Sequence, residues 1–312
     1  MRIFITGASG FIGSYIIPVL VGNNHDVIAF DIAQSPKILK KYKRKITYIN
    51  GNLEKKEDIY EAVIKSKPTH ILHLGSILAE PCEKNPIKGF SINFNSTLHL
   101  LEISRKVGLQ RFVMTSSIAV FGQGLEEPVG DQAEKQPDTI YGQTKLACEH
   151  LLQWYKEKGY ISTGAVRFPW VFGAGRETGI TALWSSKLLD DIAVCKKVTI
   201  DNPDEVGNWL YVKDAAKALV IMLSLQDHNL PAYNIMGSEH SIREVMEIVK
   251  TIEPQANIKY IQEGKKYSPY PSSYDDTNAR KELGWIPDYT IEEAIKDHIR
   301  LAKEKGESYH NL

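Results

Sequence analysis

The stretch Thr6-Gly7-Ala8-Ser9-Gly10-Phe11-Ile12-Gly13 decides the fold. It follows a short apolar run, Arg2–Thr6, and leads directly into Phe11–Val21, a helix-like stretch. Strand, glycine turn and helix in this order form the arrangement that receives a dinucleotide. Gly7 permits the tight turn, Gly10 lets the backbone approach a pyrophosphate, and Gly13 lets the helix pack closely on the strand. The unpaired N–H groups at the helix start then hold the phosphates. The spacing here is G-x-x-G-x-x-G. The competing reading is a purely structural turn, and the placement between strand and helix weighs against it. Pro18 predicts a kink inside this first helix.

Outward from this loop, strand-like and helix-like segments alternate. The strands expected after Arg2–Thr6 are Asp26–Asp31, Ile46–Ile49, His70–Leu74, Arg111–Thr115 and Thr163–Phe168. They lack strict polar alternation, as strands buried on both faces should. Helices are expected over Lys56–Ser66, Asn95–Val107 and Tyr141–Lys158 between them. Such alternation implies an α/β fold with a doubly wound parallel sheet and right-handed crossovers. After Pro169 the regularity breaks. Phe172–Gly179 is a Gly-rich loop and Thr181–Cys195 a helix. Asp214–Leu225 is a helix with Asp214 as its N-cap, Ala232–Met236 a strand, and Ser241–Thr251 and Ile291–Lys305 are amphipathic helices. Gly264–Ser273 reads as a loop over a site. Residues 1–170 therefore form the dinucleotide-binding domain, with 205–236 returning to it. Residues 171–204 and 237–312 form a smaller, interleaved C-terminal substrate-binding cap.

The 312 residues carry 38 basic and 38 acidic side chains. That balance gives no reason to expect nucleic acid or an anionic membrane as a partner. No apolar run approaches the roughly 20 residues of a membrane span, and the N-terminus shows no leader pattern. Cys82, Cys148 and Cys195 are too scattered for a disulfide or metal framework. They read as buried apolar residues of a cytoplasmic protein, and no metal is expected.

Asp31 closes the second strand, 18 residues after Gly13. A carboxylate there accepts both ribose hydroxyls of NAD and repels a 2′-phosphate. The five lysines and Arg44 within Lys37–Lys45 pull toward NADP, but such a run is more often a solvated face. NAD is the expected cofactor.

Tyr141 and Lys145, four residues apart, share one face of a helix. A phenol of pKa about 10 becomes a base near neutrality only when cations lie beside it. By itself the spacing is common. Met114-Thr115-Ser116-Ser117, at the end of a strand, adds hydroxyls on the side of the sheet where ligands sit. One of them is placed to hold a substrate oxygen while Tyr141 removes its proton, unless both merely cap a turn.

With these motifs the chain resembles the extended short-chain dehydrogenase/reductases, also called the NAD-dependent epimerase/dehydratase family. The carriers are the Thr6–Gly13 loop, Asp31, Asn52-Leu53, His73–Ser76, Asn93, Thr115–Gly122, Tyr141–Lys145, Arg167–Gly173, Trp209–Ala215 and Asp275–Pro287. The resemblance implies a Rossmann-type fold, with Tyr141 as base, Lys145 as ribose ligand and Ser117 as substrate-polarising hydroxyl. It further implies Gly7, Gly10, Phe11, Ile12, Gly13, Asp31, Ile32, Asn52, Leu53, Leu74, Gly75, Ser76, Asn93, Phe168 and Val171 around the cofactor. Asn52 stands where the family usually has an adenine-binding aspartate. Ser76, Trp170, Arg176 and Thr181 join Ser117 as candidates toward substrate. A homodimer through the Asn95–Val107 and Tyr141–Lys158 helices is also implied.

Members that act on nucleotide sugars usually carry a diphosphate-gripping arginine where this chain has Gly207, another in the loop containing Lys265 and Lys266, and an asparagine where Trp170 stands. Lysine does not replace a bidentate clamp. Dehydratases carry an Asp-Glu pair where Ile118-Ala119 follow Ser117. Ser116–Gly122, Arg167–Pro169 and Tyr270–Asp276 are similar to short-chain L-threonine 3-dehydrogenases and related hydroxy-acid dehydrogenases. Arg176 is placed either against a substrate carboxylate or on the surface. The leaning is to an NAD-dependent dehydrogenase of a small polar hydroxy compound. The alternatives are a nucleotide-sugar 4-epimerase and, less in keeping with the intact Tyr141–Lys145 pair, an NAD(P)-sensing protein without turnover.

Overall fold

In the computed structural model, which describes residues 1–34, 37–225, 227–261 and 270–310, the first segments fall where the apolar pattern places them. They are β1 (Arg2–Thr6), α1 (Phe11–Gly22), β2 (Asp26–Asp31), β3 (Ile46–Asn50), α2 (Lys56–Ser66) and β4 (His70–His73). After two short helices, α3 (Ala79–Lys84) and α4 (Pro86–Gly89), a π-helical turn over Phe90–Asn95 runs into α5 (Ser96–Val107). Then come β5 (Arg111–Ser117), α6 (Ile140–Glu157) and β6 (Ser162–Phe168).

The second half supplies β7 (Trp170–Phe172), α7 (Ile180–Leu183), α8 (Ser186–Ala193), β8 (Val198–Ile200), β9 (Val206–Tyr211) and α9 (Val212–Ser224). It ends with β10 (Ala232–Asn234), β11 (Ser238–Ser241), α10 (Ile242–Ile252), β12 (Ile258–Tyr260) and α11 (Ile291–His310).

The large sheet has the order β10-β6-β5-β4-β1-β2-β3, parallel throughout. Its two faces are both covered, so successive residues of one strand enter different cores. Ile3 and Ile5 pack with Ile16, Ile17 and Leu20 of α1 and with Leu219 of α9. Phe4 packs with Ile59 and Val63 of α2, Leu100 of α5 and Leu152 of α6. This two-sided burial is why the strands read as continuous apolar runs. The order runs outward in opposite directions from β1 and β4, which places a crevice at their carboxyl ends. The fold is the doubly wound α/β sheet the sequence predicts.

Several local expectations change. α9 starts at Val212, and Asp214 is not its cap; the buried Asp214 carboxylate accepts the Asp288 N–H at 2.7 Å. The helix expected over Thr181–Cys195 breaks at Trp184–Ser185, where the Ser185 hydroxyl turns back onto the Thr181 carbonyl. Cys195 is exposed in left-handed backbone (φ 58°), whereas Cys82 and Cys148 are buried. The loop expected from Phe172 begins one residue later, because Phe172 ends β7. α1 continues through Pro18 to Gly22. Residues 205–236 return to the large sheet through α9, which packs on it, and β10, which joins it, while β9 pairs with β7 and β11 in a separate three-stranded sheet. Lys265 and Lys266 lie outside the described residues.

Candidate active site

The glycine loop is shaped by contacts that exclude side chains. Gly7 has φ +63°, and a Cβ there would lie 2.7 Å from the Gly75 Cα, so the β1 and β4 exits touch backbone to backbone. A Cβ on Gly13 would lie 2.3 Å from the Ala8 carbonyl oxygen. Gly10 differs: a Cβ there would meet only the Gly7 carbonyl oxygen, at 3.1 Å, and its other sides are open. Gly10 also opens α1 without any side-chain cap. An uncapped helix start beside open space is a cradle for a pyrophosphate, so the loop fits a dinucleotide. Asp31 sits at the rim, its carboxylate accepting the Ser9 N–H at 2.9 Å and the Ala33 N–H at 3.1 Å. Ile32 beside it is 66% exposed, and Leu53 packs against Gly75. Phe11 and Ile12 are half-buried in the first turn of α1, and Phe11 reaches Gly173. The Asn52 side-chain oxygen is occupied by the Glu54 N–H at 2.9 Å, a local turn.

Behind this loop a buried relay links β1, β4 and α5. Thr6 accepts the Gly75 N–H and lies 2.6 Å from His73 Nδ1, while His73 Nε2 lies 3.1 Å from the Thr97 hydroxyl. Thr97 donates to the Asn93 carbonyl at 2.7 Å. The hydroxyl protons therefore run Thr6 to Nδ1 and Nε2–H to Thr97, which requires a neutral imidazole. Burial lowers the His73 pKa to about 3, with the Lys145 charge adding to the effect. Asn93, in the π-helical turn, accepts the Ile77 N–H and donates to the Ile77 carbonyl and to Thr144. It thereby ties the loop after β4, which carries Leu74 and Ser76, to the helix that carries Tyr141.

Thr139 caps α6 by accepting the Gly142 N–H at 3.1 Å, which sets the phase of the helix. Tyr141, Lys145 and Glu149 then fall on one face, each four residues from the next. The Ser117 hydroxyl hydrogen-bonds to Tyr141 and holds its pKa down, but burial is the larger effect and pushes it up to about 12. Lys145 Nζ donates to the Thr115 carbonyl at 2.9 Å and stands 5.7 Å from the centre of the Tyr141 ring. Burial lowers the Lys145 pKa. The lone protein thus keeps Tyr141 protonated: desolvation outweighs the Ser117 hydrogen bond and the Arg176 charge.

Ser116 and Ser117 part company. Ser116 donates to Glu149 at 2.6 Å, eight residues further along α6 than Tyr141. Glu149 also receives both arms of Arg167, at 2.8 and 2.9 Å, and all three side chains are buried. Ser117 is the hydroxyl left beside Tyr141. Glu149 was missed as a site-shaping residue in the sequence; its signal was the continued four-residue spacing after Lys145.

Phe168 and Val171 are 5% and 6% exposed on either side of Pro169. Arg176, half-buried, donates to the Val171 carbonyl, and its charge acts on Tyr141. Burial brings its pKa down to about 10. No carboxylate of the described residues pairs with it. Thr181 lies half-buried at the start of α7. Trp170 is only 4% exposed, enclosed by Trp184 and Trp209 with ring centres 4.0 and 6.0 Å away. Its ring fills the space beside Gly207, where a Cβ would lie 2.0 Å from it. Tyr270 sets its hydroxyl 3.4 Å from Thr139, over the start of α6.

Residues 3–235 match the model of the NAD dependent epimerase/dehydratase family. The chain is 26% identical to a putative UDP-glucose 4-epimerase of Methanocaldococcus jannaschii, over 97% of this chain and 99% of that one. It is 25% identical to the D-erythronate dehydrogenase of Haemophilus influenzae, over 96% and 99%. The L-threonine 3-dehydrogenase structure of Trypanosoma brucei superposes with a TM-score of 0.87 at 26% identity, covering 96% of each chain. Among the described residues no helix is long and apolar enough to cross a membrane, and no cluster of His, Cys, Asp or Glu is placed to hold a metal ion.

Proposed function

The chain belongs to the NAD-dependent epimerase/dehydratase family, and we propose that within it the protein is a dehydrogenase that oxidises the secondary alcohol of a small, carboxylate-bearing hydroxy compound and releases NADH. One steric relationship carries this reading. Residue 207, where nucleotide-sugar enzymes place a diphosphate-gripping arginine, has no room for a side chain, because the Trp170 indole fills it. Trp184 and Trp209 hold that indole in place. Arg176, with no carboxylate partner among the described residues, supplies the cation that meets the substrate's carboxylate.

Ser117 and Tyr141 together hold the alcohol oxygen, and Tyr141 takes its proton. Asp31 would hold the ribose hydroxyls of NAD, Lys145 the second ribose, and the Gly7–Gly13 loop the pyrophosphate. When bound, NAD supplies the hydride acceptor and a positive ring charge. Lys145 and Arg176 add their charges on the protein side, opposing the burial that raises the Tyr141 pKa. Asn93 fixes α6 against the β4 loop so that these groups keep their spacing.

The homodimer forms through α5 and α6, where Leu98, Leu151, Trp154 and Tyr160 make an aromatic and aliphatic face and Trp154 is 45% exposed. Cytoplasmic residence accords with three free cysteines. The deciding experiment incubates the pure protein with NAD and two panels, free hydroxy acids and nucleotide sugars. NADH accumulating with a hydroxy acid supports the dehydrogenase. Interconversion of a nucleotide sugar without net NADH overturns it in favour of the 4-epimerase. Cofactor binding with turnover of neither panel points to the sensing protein.

A further inference from the structure

We propose that Asp190 and His298 are positioning residues, a carboxylate–imidazole latch through which the C-terminal helix fixes the Gly173–Arg176 loop and so aims Arg176 into the site. His298 of α11 is completely buried and lies flat on Phe172, ring centres 6.2 Å apart and 16° from parallel. Its Nε2 is 2.9 Å from one oxygen of Asp190 on α8. The other Asp190 oxygen accepts the Gly175 N–H at 3.2 Å. Three residues far apart in sequence are thus joined in one line, from α11 through α8 to the loop.

The loop is gripped at every step. Gly173 N–H donates to Ser186, and the Ala174 carbonyl accepts both the Tyr15 hydroxyl at 2.9 Å and Lys305 Nζ at 2.8 Å. Tyr15 and Lys305 sit on exposed or half-buried ground. His298 differs from them, because a polar ring in a dry site is expensive unless it is fully paired. Its Nδ1 has no hydrogen-bond partner among the described residues. A ring retained there at that cost, with its one bond spent on Asp190, marks a device that holds the carboxylate rather than a packing filler. An aliphatic side chain would fill the same space without the penalty. Asp190 in turn can bridge to Gly175 only while its carboxylate keeps both oxygens turned to these two donors.

The consequence for substrate rests on the reading of Arg176 given above; the consequence for the loop does not. The test uses the full-length protein saturated with NAD. His298→Leu removes the donor and keeps an apolar filling, whereas His298→Gln restores an N–H toward Asp190. Amide hydrogen exchange over residues 173–179 should rise at least tenfold in His298→Leu, with β1, β4 and β5 unchanged, and stay within threefold of wild type in His298→Gln. With an oxidised compound from the hydroxy-acid panel, His298→Leu should raise KM at least tenfold while kcat stays within threefold. Exchange that is unchanged in the loop, or that rises equally throughout the molecule, overturns the latch, as does a Gln variant behaving like the Leu variant. Exchange altered as expected with KM unmoved overturns the aiming of Arg176. If neither panel is turned over, the substrate reading fails and the exchange pattern alone decides the latch. If His298→Leu does not fold, Asp190→Asn, at a half-buried position, is judged by the same measures, since one oxygen cannot serve both donors.

Discussion

The Trp170 indole stands where any side chain on Gly207 would have to go, its Cζ3 2.0 Å from the Cβ that residue lacks. The two positions lie on neighbouring strands, β7 and β9, where Trp170 is in register with Trp209, two residues beyond Gly207. Gly207→Ala therefore cannot be absorbed by a small shift, because Trp184 blocks the ring's retreat. We expect a loss of about 1–3 kcal/mol, the usual cost of overpacking, read as a lower urea midpoint with unchanged slope. Trp170→Leu in the same chain should return much of that loss.

Tyr141→Phe keeps the ring and deletes the hydroxyl that Ser117 meets. NAD affinity, followed by fluorescence titration, should stay within about threefold, while turnover falls by about 100-fold or more, the scale of a lost general base. Residual activity close to wild type would remove Tyr141 from its assigned role.

Glu149 holds Ser116 and both arms of a buried Arg167. Glu149→Leu strips the buried guanidinium of its bidentate partner and leaves it only the Asp131 carboxylate, 3.6 Å away, a loss of about 3 kcal/mol. Thermal unfolding of the variant should begin far below that of wild type. Glu149→Gln, which still accepts one bond, should fall between the two.

Acid should destabilise the protein early. His73, His70 and His228 all have pKa values lowered by burial, His73 to about 3 and His70 to about 4. Below the unfolded value of about 6.5 the unfolded chain binds protons that the folded chain refuses, so stability falls as pH drops through that value and continues falling toward the folded values. Each fully shifted histidine costs roughly 1.4 kcal/mol per pH unit in this window. His73→Gln should flatten the decline between pH 6.5 and 5, measured from urea midpoints. An equal slope in wild type and variant would show that His73 is not held neutral.

Asp31 meets the Ser9 and Ala33 N–H groups at the mouth of the glycine loop. Asp31→Ser removes the charge that rejects a 2′-phosphate. The ratio of NAD to NADP affinity should shift toward NADP by at least tenfold; an unmoved ratio would assign cofactor choice elsewhere, the Lys37–Lys45 run being the first place to look.

The central sheet was legible because two-sided burial leaves continuous apolar runs, and the glycine loop because backbone contacts at Gly7 and Gly13 forbid any other residue. Glu149 was readable in principle, from helix spacing alone. Asp190 and His298 were not, since 108 residues separate them and neither lies in a motif. Asp214 looked like a cap because aspartates often are one, but it serves a segment 74 residues away.

By itself, then, the sequence determined the strand order's raw material, the dinucleotide loop and the helix face shared by Tyr141 and Lys145, all of which depend on near neighbours and on which residues avoid water. Tertiary structure alone decided that Ser116 turns to Glu149, that burial rather than Lys145 governs the phenol, and that Trp170 closes the space at Gly207. Each of these depends on what distant segments place within a few ångström, and periodicity carries no record of that.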